Sequence, residues 1–144
     1  MLLNSRDLEH FALLDALGVL AVGNSLLNFG SGHGGLSFLA AARGLKVVNV
    51  DLFHTSPFLD ITFSETVPTS EFDLVYASHS LEHVRDIFAF LRLAWSRLRP
   101  EGVLFAEVPS MDSYWERGAT PRFQEPHTYY FTSEFFPQLA MGSK

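Results

Sequence analysis

The stretch that most constrains the fold runs from Ser25 to Asp51, with the sequence SLLNFGSGHGGLSFLAAARGLKVVNVD. A short apolar run, Leu26 to Phe29, leads into a glycine loop, a helical apolar pattern and a second apolar run that ends on Asp51. This order predicts a β-α-β unit with its loop at the carboxyl end of the first strand. Open α/β sheets bind ligands at that edge. There, Asp51 is placed to accept hydrogen bonds from neighbouring hydroxyl groups, such as those of a ribose.

The glycine loop fits two cofactor patterns. Gly30, Gly32 and Gly35, with Asp51 at the expected distance, match the dinucleotide-binding pattern. Gly30, Gly32 and Gly34 resemble the first motif of the Rossmann-like methyltransferases, which bind S-adenosylmethionine. The loop alone leaves three interpretations open: an NAD-linked oxidoreductase, a methyltransferase, or a tight structural turn followed by an incidental carboxylate.

The composition indicates a globular domain. The chain has 144 residues, of which 47% are hydrophobic and 18% charged, and we expect a single domain over residues 1–144. Its net charge of -6 argues against binding to nucleic acids or anionic membranes, both of which attract clustered positive charge. A small-molecule substrate is compatible with this charge.

Two absences bear on chemistry and location. Cys does not occur, so the sequence has no thiolate nucleophile, disulfide framework or cysteine-based metal site. The apolar run from Phe11 to Val22 is interrupted by Asp15, follows no basic segment and is too short to span a bilayer. We therefore expect a cytoplasmic protein.

The remaining sequence continues the alternation of helices and strands. Apolar spacing predicts a helix from Ser5 to Leu17, with Ser5 as its cap, and a long helix from a cap at Asp86 to Leu98. Further elements are a helix over Gly35–Arg43, strands over Lys46–Val50, Phe72–Ala77 and Val103–Val108, a short strand near Leu59–Phe63, and a short final helix after Thr132 or Ser133.

Two later segments identify a family by resemblance. FDLVYASHSLEHVRD (72–86) and RPEGVLFAEVP (99–109), together with FGSGHGG and VVNVD, resemble the class I S-adenosylmethionine-dependent methyltransferases. The subgroup is the one with Leu-Glu-His after the fourth strand, and the resemblance covers residues 25–135. It implies an α/β fold with a Rossmann-like doubly wound sheet of about five parallel strands. It also implies S-adenosyl-L-methionine as cofactor and methyl transfer as the reaction. The net charge of -6 disfavours nucleic acid as the acceptor, so we expect a small-molecule acceptor.

The same resemblance implies cofactor-binding roles for residues on the loop and at the strand ends. Asp51 holds the ribose hydroxyls, and Leu52 flanks the adenine, which Asp60 or Ile61 also meets. The other implied contacts lie beside the methionine moiety: Gly30, Ser31, Gly32, Gly34, Ser78 and His79.

Methyl transfer needs a general base only when the acceptor must lose a proton. Candidates are His79, Glu107 at the end of the fifth strand, and His127 after a loop over 110–126 that we expect on the substrate side. A structural role is the alternative for each of them. His83 is expected to bond locally at the start of the helix. The spacing of the histidines predicts no metal site.

Three features depart from the family pattern. Asn28 stands where the family has an acid, and Glu101 occupies a Pro-Gly-Gly turn, which is harmless if Glu101 avoids a positive φ. The usual C-terminal antiparallel hairpin is also lacking, so the fifth strand forms an apolar edge. A second copy, a partner chain or the tail covers this edge, or the chain is a fragment. The alternative function is therefore a truncated, non-catalytic methyltransferase-like module.

Overall fold

Helices and strands alternate in the computed structural model, which describes residues 3–51, 63–64, 66–112, 116–118 and 127–141. The described helices are α1 (Ser5–Ala16), α2 (Gly35–Arg43), α3 (Ile87–Trp95) and α4 (Phe135–Met141), with a 3₁₀ turn at Leu81–His83. The described strands are β1 (Ser25–Phe29), β2 (Lys46–Val50), β3 (Phe63–Ser64), β4 (Phe72–Ser78) and β5 (Leu98–Glu107).

The strands form a parallel sheet in the order β3-β2-β1-β4-β5. The chain leaves β1 toward β2 on one side and later returns to place β4 on the other side. The crevice above β1 and β4 is therefore the topological switch point, where doubly wound sheets bind ligands. This confirms the predicted fold class. Of the short strand predicted near Leu59–Phe63, residues 59–62 lie outside the described residues, and β3 pairs with the end of β2 over only two positions.

Two apolar cores lie on opposite faces of the sheet because neighbouring strand residues point to opposite sides. Leu26 and Leu74 pack with Leu14 of α1 and with Leu36 and Ala40 of α2. The residues that follow them on the strands face α3, the 3₁₀ turn and α4: this second core includes Leu27, Val75, Ala77, Leu81, Ile87, Ala94 and Phe131. Helices therefore cover both faces, which explains why β1 is buried at every position.

Helix α1 begins at Ser5, as predicted, and ends at Ala16 rather than Leu17, but its cap is Asn4 rather than Ser5. The backbone N–H of Asp7 donates to Asn4 Oδ1 at 2.9 Å, and the backbone N–H of Asn4 donates to Asp7 Oδ2 at 3.2 Å. This reciprocal pair is a capping box with Asp in the position usually held by Glu. The Asp7 carboxylate also lies against Gly35, so a Cβ at Gly35 would collide with it. The contact joins the start of α1 to the start of α2, where the helix dipole favours negative charge.

Asp73 ties the amino ends of three strands together at the edge opposite the glycine loop. Its Oδ2 accepts hydrogen bonds from the backbone N–H and hydroxyl of Ser25, at 2.7 and 2.8 Å, and from Arg99 at 2.7 Å. Burial alone raises the pKa of Asp73, but the bonds from Ser25 and Arg99 outweigh burial and hold this pKa below its usual value. The Asp73 carboxylate is therefore bonded within the protein and holds β1, β4 and β5 together at this end of the sheet.

The turn around Glu101 differs from the prediction in two ways. Helix α3 ends at Trp95 rather than Leu98, and β5 already begins at Leu98, with a register irregularity opposite Phe72 to Leu74. Such an irregularity bends the strand locally. Glu101 has a φ of 64°, so it adopts the left-handed conformation that would have to be avoided for the substitution to be harmless.

Replacing Glu101 with Gly is expected to raise the free energy of unfolding by about 0.5 kcal/mol. Glycine removes a left-handed penalty of about 1–2 kcal/mol, and its greater freedom in the unfolded chain offsets about 0.5–1 kcal/mol of this gain. Urea unfolding measures the change. Glu101→Ala is the matched control, because it removes the carboxylate but keeps the Cβ. Equal stabilities of the two variants would contradict the argument.

The free side of β5 carries an apolar groove between α3, β5 and α4. It has a volume of about 1030 Å³ and is lined by Phe88, Leu91, Arg92, Trp95, Ser96, Leu104, Ala106, Phe136 and Leu139. Phe88 and Trp95 are 53% and 70% exposed. Among the described strands, β5 is thus the edge of the sheet, as predicted, with an apolar surface beside it to which α4 contributes Phe136 and Leu139. Coverage by a second copy or a partner chain stays a prediction.

Candidate functional site

The glycine loop after β1 packs tightly against the loop after β4. Gly30, Gly32 and Gly34 have φ values of 62°, 52° and 75°, in the region that favours glycine. A Cβ on Gly30 would lie only 2.5 Å from Ser80 Cβ, so only glycine fits between the two loops. The backbone N–H of Gly30 also donates to Val50 O at 2.8 Å, which joins the loop to the end of β2.

Asp51 lies at the end of β2 beside this loop. Its Oδ2 accepts a hydrogen bond from the backbone N–H of Gly32 at 2.7 Å, and the residue is half-buried. A carboxylate accepts several hydrogen bonds at once, and this contact orients Asp51 toward the loop. The predicted adenine contacts Leu52, Asp60 and Ile61 lie outside the described residues.

Two hydroxyl groups beside the crevice lack partners among the described residues. Ser31 Oγ and Ser80 Oγ are both buried from solvent and have no hydrogen-bond partner. One belongs to the glycine loop and the other to the loop after β4. Buried polar atoms without partners are uncommon in native proteins. Both hydroxyls belong to the two loops that pack against each other beside the crevice.

Asn28, which replaces the family's acid, belongs to a buried polar chain behind the loop. Its Nδ2 donates to Ser37 Oγ at 2.9 Å, and the Ser37 hydroxyl donates to Asn49 Oδ1 at 2.5 Å. All three side chains are buried. The chain therefore links β1, α2 and β2 by neutral hydrogen bonds and fixes α2 relative to the two strand ends beneath the loop.

Glu107 is the centre of a polar cluster at the same edge of the sheet. His10 Nε2, Arg6 Nε and His79 Nε2 lie 3.4, 3.6 and 3.6 Å from its carboxylate oxygens. The Ser78 hydroxyl also donates to Glu107. The structure thus brings together the predicted residues Ser78, His79 and Glu107. It adds Arg6 and His10 from α1, which the sequence analysis missed.

The cluster extends inward to Tyr76. His10 Nδ1 lies 2.7 Å from the Tyr76 hydroxyl, and His10 is buried. Burial raises the pKa of Tyr76 to about 12, and the charge of Glu107 adds to the increase. Tyr76 is therefore a neutral phenol at physiological pH. The resulting chain Tyr76–His10–Glu107–His79 joins groups that donate and accept protons.

His79 has a strained backbone and contacts two carboxylates. Its φ is 51°, and its backbone N–H donates to Glu107 O at 3.0 Å. Its ring lies between Glu107 and Glu82, with Nδ1 3.4 Å from Glu82 Oε1. Strained conformations persist where the surroundings enforce them and are frequent at functional sites. The ring is one-third exposed, so it is accessible from the crevice.

His127 lies in a neighbouring group rather than beside Glu107. Its ring contacts that of His83 with a centroid separation of 4.8 Å, and ligand atoms of Glu82, His83 and His127 all lie within 4.8 Å of one another. The backbone N–H groups of Thr128 and Tyr129 donate to Glu82 O at 2.6 and 3.2 Å. Glu82 therefore stands between His79 and His127. The prediction of no metal site used only the spacing of the histidines along the sequence, which does not indicate that these three residues meet in the fold.

The ends of the predicted substrate-side loop are held together. Ser110 and Phe131 form a parallel β-bridge, and the backbone N–H of Met111 donates to Phe131 O at 2.8 Å. Residues 113–115 and 119–126 of the predicted loop lie outside the described residues. The bridge therefore joins the start of the predicted loop to Phe131, which follows the predicted end of the loop in the sequence.

The parallel sheet with its glycine loop at the switch point defines a Rossmann-like α/β domain, and comparison with known proteins identifies the family. The family model described as a methyltransferase domain matches residues 5–141. The chain therefore belongs to this methyltransferase domain family. No curated protein is significantly similar to it in sequence.

Solved structures share the fold. An S-adenosylmethionine-dependent methyltransferase from Mesorhizobium loti is 25% identical, with a TM-score of 0.52 over 65% of this chain and 51% of that protein. One from Archaeoglobus fulgidus is 17% identical, with a TM-score of 0.68 over 94% and 67%. One from Thiobacillus denitrificans, in complex with S-adenosyl-L-homocysteine, is 16% identical, with a TM-score of 0.56 over 81% and 56%. The chain thus spans about half the length of the first of these. Within the described ranges, no helix is long and apolar enough to cross a membrane.

Proposed function

We propose that this domain binds S-adenosylmethionine and transfers its methyl group to a small-molecule acceptor. The observation that carries the proposal is the crevice above β1 and β4. Asp51 and the glycine loop border it, and only glycine fits at position 30, where the loop packs against Ser80. The hydroxyls of Ser31 and Ser80, in the two loops beside it, have no hydrogen-bond partner among the described residues. Family membership and the S-adenosylhomocysteine bound by the Thiobacillus denitrificans protein support the choice of cofactor.

The residues of the crevice fit the parts of the cofactor. Asp51 accepts hydrogen bonds from the ribose hydroxyls, while Ser31, Gly32 and Ser78 lie toward the methionine part. The bound sulfonium supplies an electrophilic methyl group. The fold then has to hold an acceptor in line with that methyl group and exclude water, which accounts for much of the rate in such displacements.

The Glu107 cluster is the proposed acceptor side. Its members lie at the carboxyl ends of β4 and β5, next to the crevice, and Glu107 and His79 can take a proton from an acceptor hydroxyl or amine. Arg6 and Ser78 hold the Glu107 carboxylate in place. The net charge of -6 argues for a small acceptor rather than a nucleic acid. Glu82 lies between His79 and His127, and we propose that His127 contacts the acceptor from the side opposite the Glu107 cluster.

A non-catalytic partner module is the second candidate, favoured by the exposed groove beside β5. The groove is apolar, and Trp95 in it is 70% exposed. Among the described strands, β5 is at the edge of the sheet, and a strand edge next to such a surface favours association with another chain. Asn28 also lacks the charge that would favour the cationic groups of S-adenosylmethionine.

Isothermal titration calorimetry with S-adenosylhomocysteine separates these functions. We expect binding of one ligand with a dissociation constant near 1 µM, about -8 kcal/mol, and no heat with NAD. At a ligand concentration about 100 times the dissociation constant, the fold is stabilised by about 2.7 kcal/mol, which a thermal-shift assay detects. Binding makes an acceptor screen, read as S-adenosylhomocysteine production, worthwhile. A folded protein that binds neither ligand would favour the partner module.

A further inference from the structure

We propose that Glu82, His83 and His127 form a binding site for a divalent transition-metal ion of the Zn²⁺ class. Their ligand atoms lie within 4.8 Å of one another. Glu82 and His83 come from the 3₁₀ turn after β4, and His127 comes from the segment that follows the predicted substrate-side loop. The site adjoins the Glu107 cluster through the contact between Glu82 and His79, and metal binding there does not depend on the proposed function.

The spacing is close to that of a tetrahedral site. Ligand bonds of about 2.0–2.2 Å to Zn²⁺ place neighbouring ligand atoms about 3.4 Å apart. The 4.8 Å limit therefore requires an approach of at most about 1.4 Å, within reach of imidazole rotation about the side-chain torsions. His83 is exposed and His127 half-buried, so both rings have room to rotate and solvent reaches the site.

The backbone already holds the two segments in register. Glu82 O accepts hydrogen bonds from the N–H groups of Thr128 and Tyr129 at 2.6 and 3.2 Å. The chain at position 127 is thus fixed beside the 3₁₀ turn without help from a metal. Less ordering is then required when an ion binds, which favours affinity.

The Glu82 carboxylate gives an independent reason for a cation. Glu82 is 1% exposed, and its Oε2 has no hydrogen-bond partner among the described residues. Its other oxygen lies 3.4 Å from His79 Nδ1. A buried carboxylate oxygen without a partner is costly, and a coordinated cation removes that cost. The carboxylate with this unsatisfied oxygen belongs to the only group of potential metal ligands found among the described residues.

The donor set selects the class of ion. Two imidazoles and one carboxylate suit Zn²⁺ and neighbouring transition metals, whereas Mg²⁺ and Ca²⁺ prefer oxygen ligands alone. Three protein ligands leave a fourth position for water or another ligand. His79 contacts the carboxylate of Glu82 without belonging to the ligand group, and contacts of this kind orient a ligating side chain.

The test uses the full chain, stripped with a chelator and titrated with Zn²⁺ alone against a chromophoric chelator. The wild type is expected to bind about one equivalent, and Mg²⁺ is not expected to compete. His127→Ala and His83→Ala each remove a ligand and should weaken Zn²⁺ binding by more than about 10- to 100-fold. That is the loss expected when a residue that only hydrogen-bonds a ligand is removed. His33→Ala is the matched control, because it removes a histidine outside the group and should bind like the wild type.

Two further measurements keep the outcome decisive. Cobalt substitution should give the visible absorption of a four-coordinate site in the wild type and not in His127→Ala. If His127→Ala does not fold, Glu82→Gln, which keeps the side-chain shape, and exposed His83→Ala carry the comparison. The proposal is overturned if the wild type fails to compete for Zn²⁺, or if His33→Ala loses as much affinity as the variants of the site.

Discussion

Asp51→Ala is expected to weaken the binding of S-adenosylhomocysteine by about 30-fold. The variant loses hydrogen bonds from ligand hydroxyls to a charged acceptor, and a bond of this kind contributes about 1.5–3 kcal/mol. Each 1.4 kcal/mol corresponds to about tenfold in affinity. Titration calorimetry on the wild type and the variant measures the difference directly.

Two companion variants separate ligand contact from loop support, because Asp51 also accepts a hydrogen bond from the Gly32 backbone. Asp51→Asn keeps an acceptor for Gly32 and should lose less affinity than Asp51→Ala. Asp15→Ala removes a carboxylate of α1 that pairs with Arg43 at 2.9 Å and should leave affinity unchanged. An unchanged dissociation constant in Asp51→Ala would show that the ribose assignment is wrong.

Gly30→Ala is expected to lower the free energy of unfolding by about 2–4 kcal/mol. The left-handed backbone alone costs a residue with a Cβ about 1–2 kcal/mol. The Cβ would also lie 2.5 Å from Ser80 Cβ, so the two loops must separate, and overpacking of this kind costs about 1–3 kcal/mol. Chemical denaturation gives the change in stability.

Gly32→Ala is the matched control for this effect. Gly32 has a φ of 52°, but a Cβ there would meet nothing within 4 Å, so only the backbone penalty applies. The double variant Gly30→Ala, Ser80→Gly removes the opposing Cβ and should recover the part of the loss due to the collision. Equal losses in Gly30→Ala and Gly32→Ala would mean that the two loops are not in close contact.

The parts of the fold that the sequence predicts are those governed by local periodicity. The alternation of Leu26 and Leu27 between two cores, and the glycine loop between β1 and α2, follow from strand and helix geometry. The meeting of Ser78 and Glu107 was also predictable, because adjacent parallel strands end at one edge.

The missed features depend on packing between distant segments. Arg6 and His10 reach Glu107 only because α1 docks beside α2, and nothing local to α1 specifies that orientation. The contact of His83 with His127 likewise requires the chain to return to the 3₁₀ turn after β5. Glu101 differs from these examples because the turn imposes a left-handed φ on it. Residues with a Cβ rarely adopt that conformation, so the residue type gave no indication of it.

The bridge between Ser110 and Phe131 holds together the two ends of the chain segment that lies between them. Because this bridge already joins the two ends, the entropic cost of closing the segment rises slowly with its length, by about 0.6 kcal/mol for each doubling. Changes in the length of this segment therefore cost the core little, provided that Thr128 and Tyr129 keep their hydrogen bonds to Glu82 O. In proteins with this fold, the segment can therefore vary in length while α1, the glycine loop and the strand ends stay unchanged.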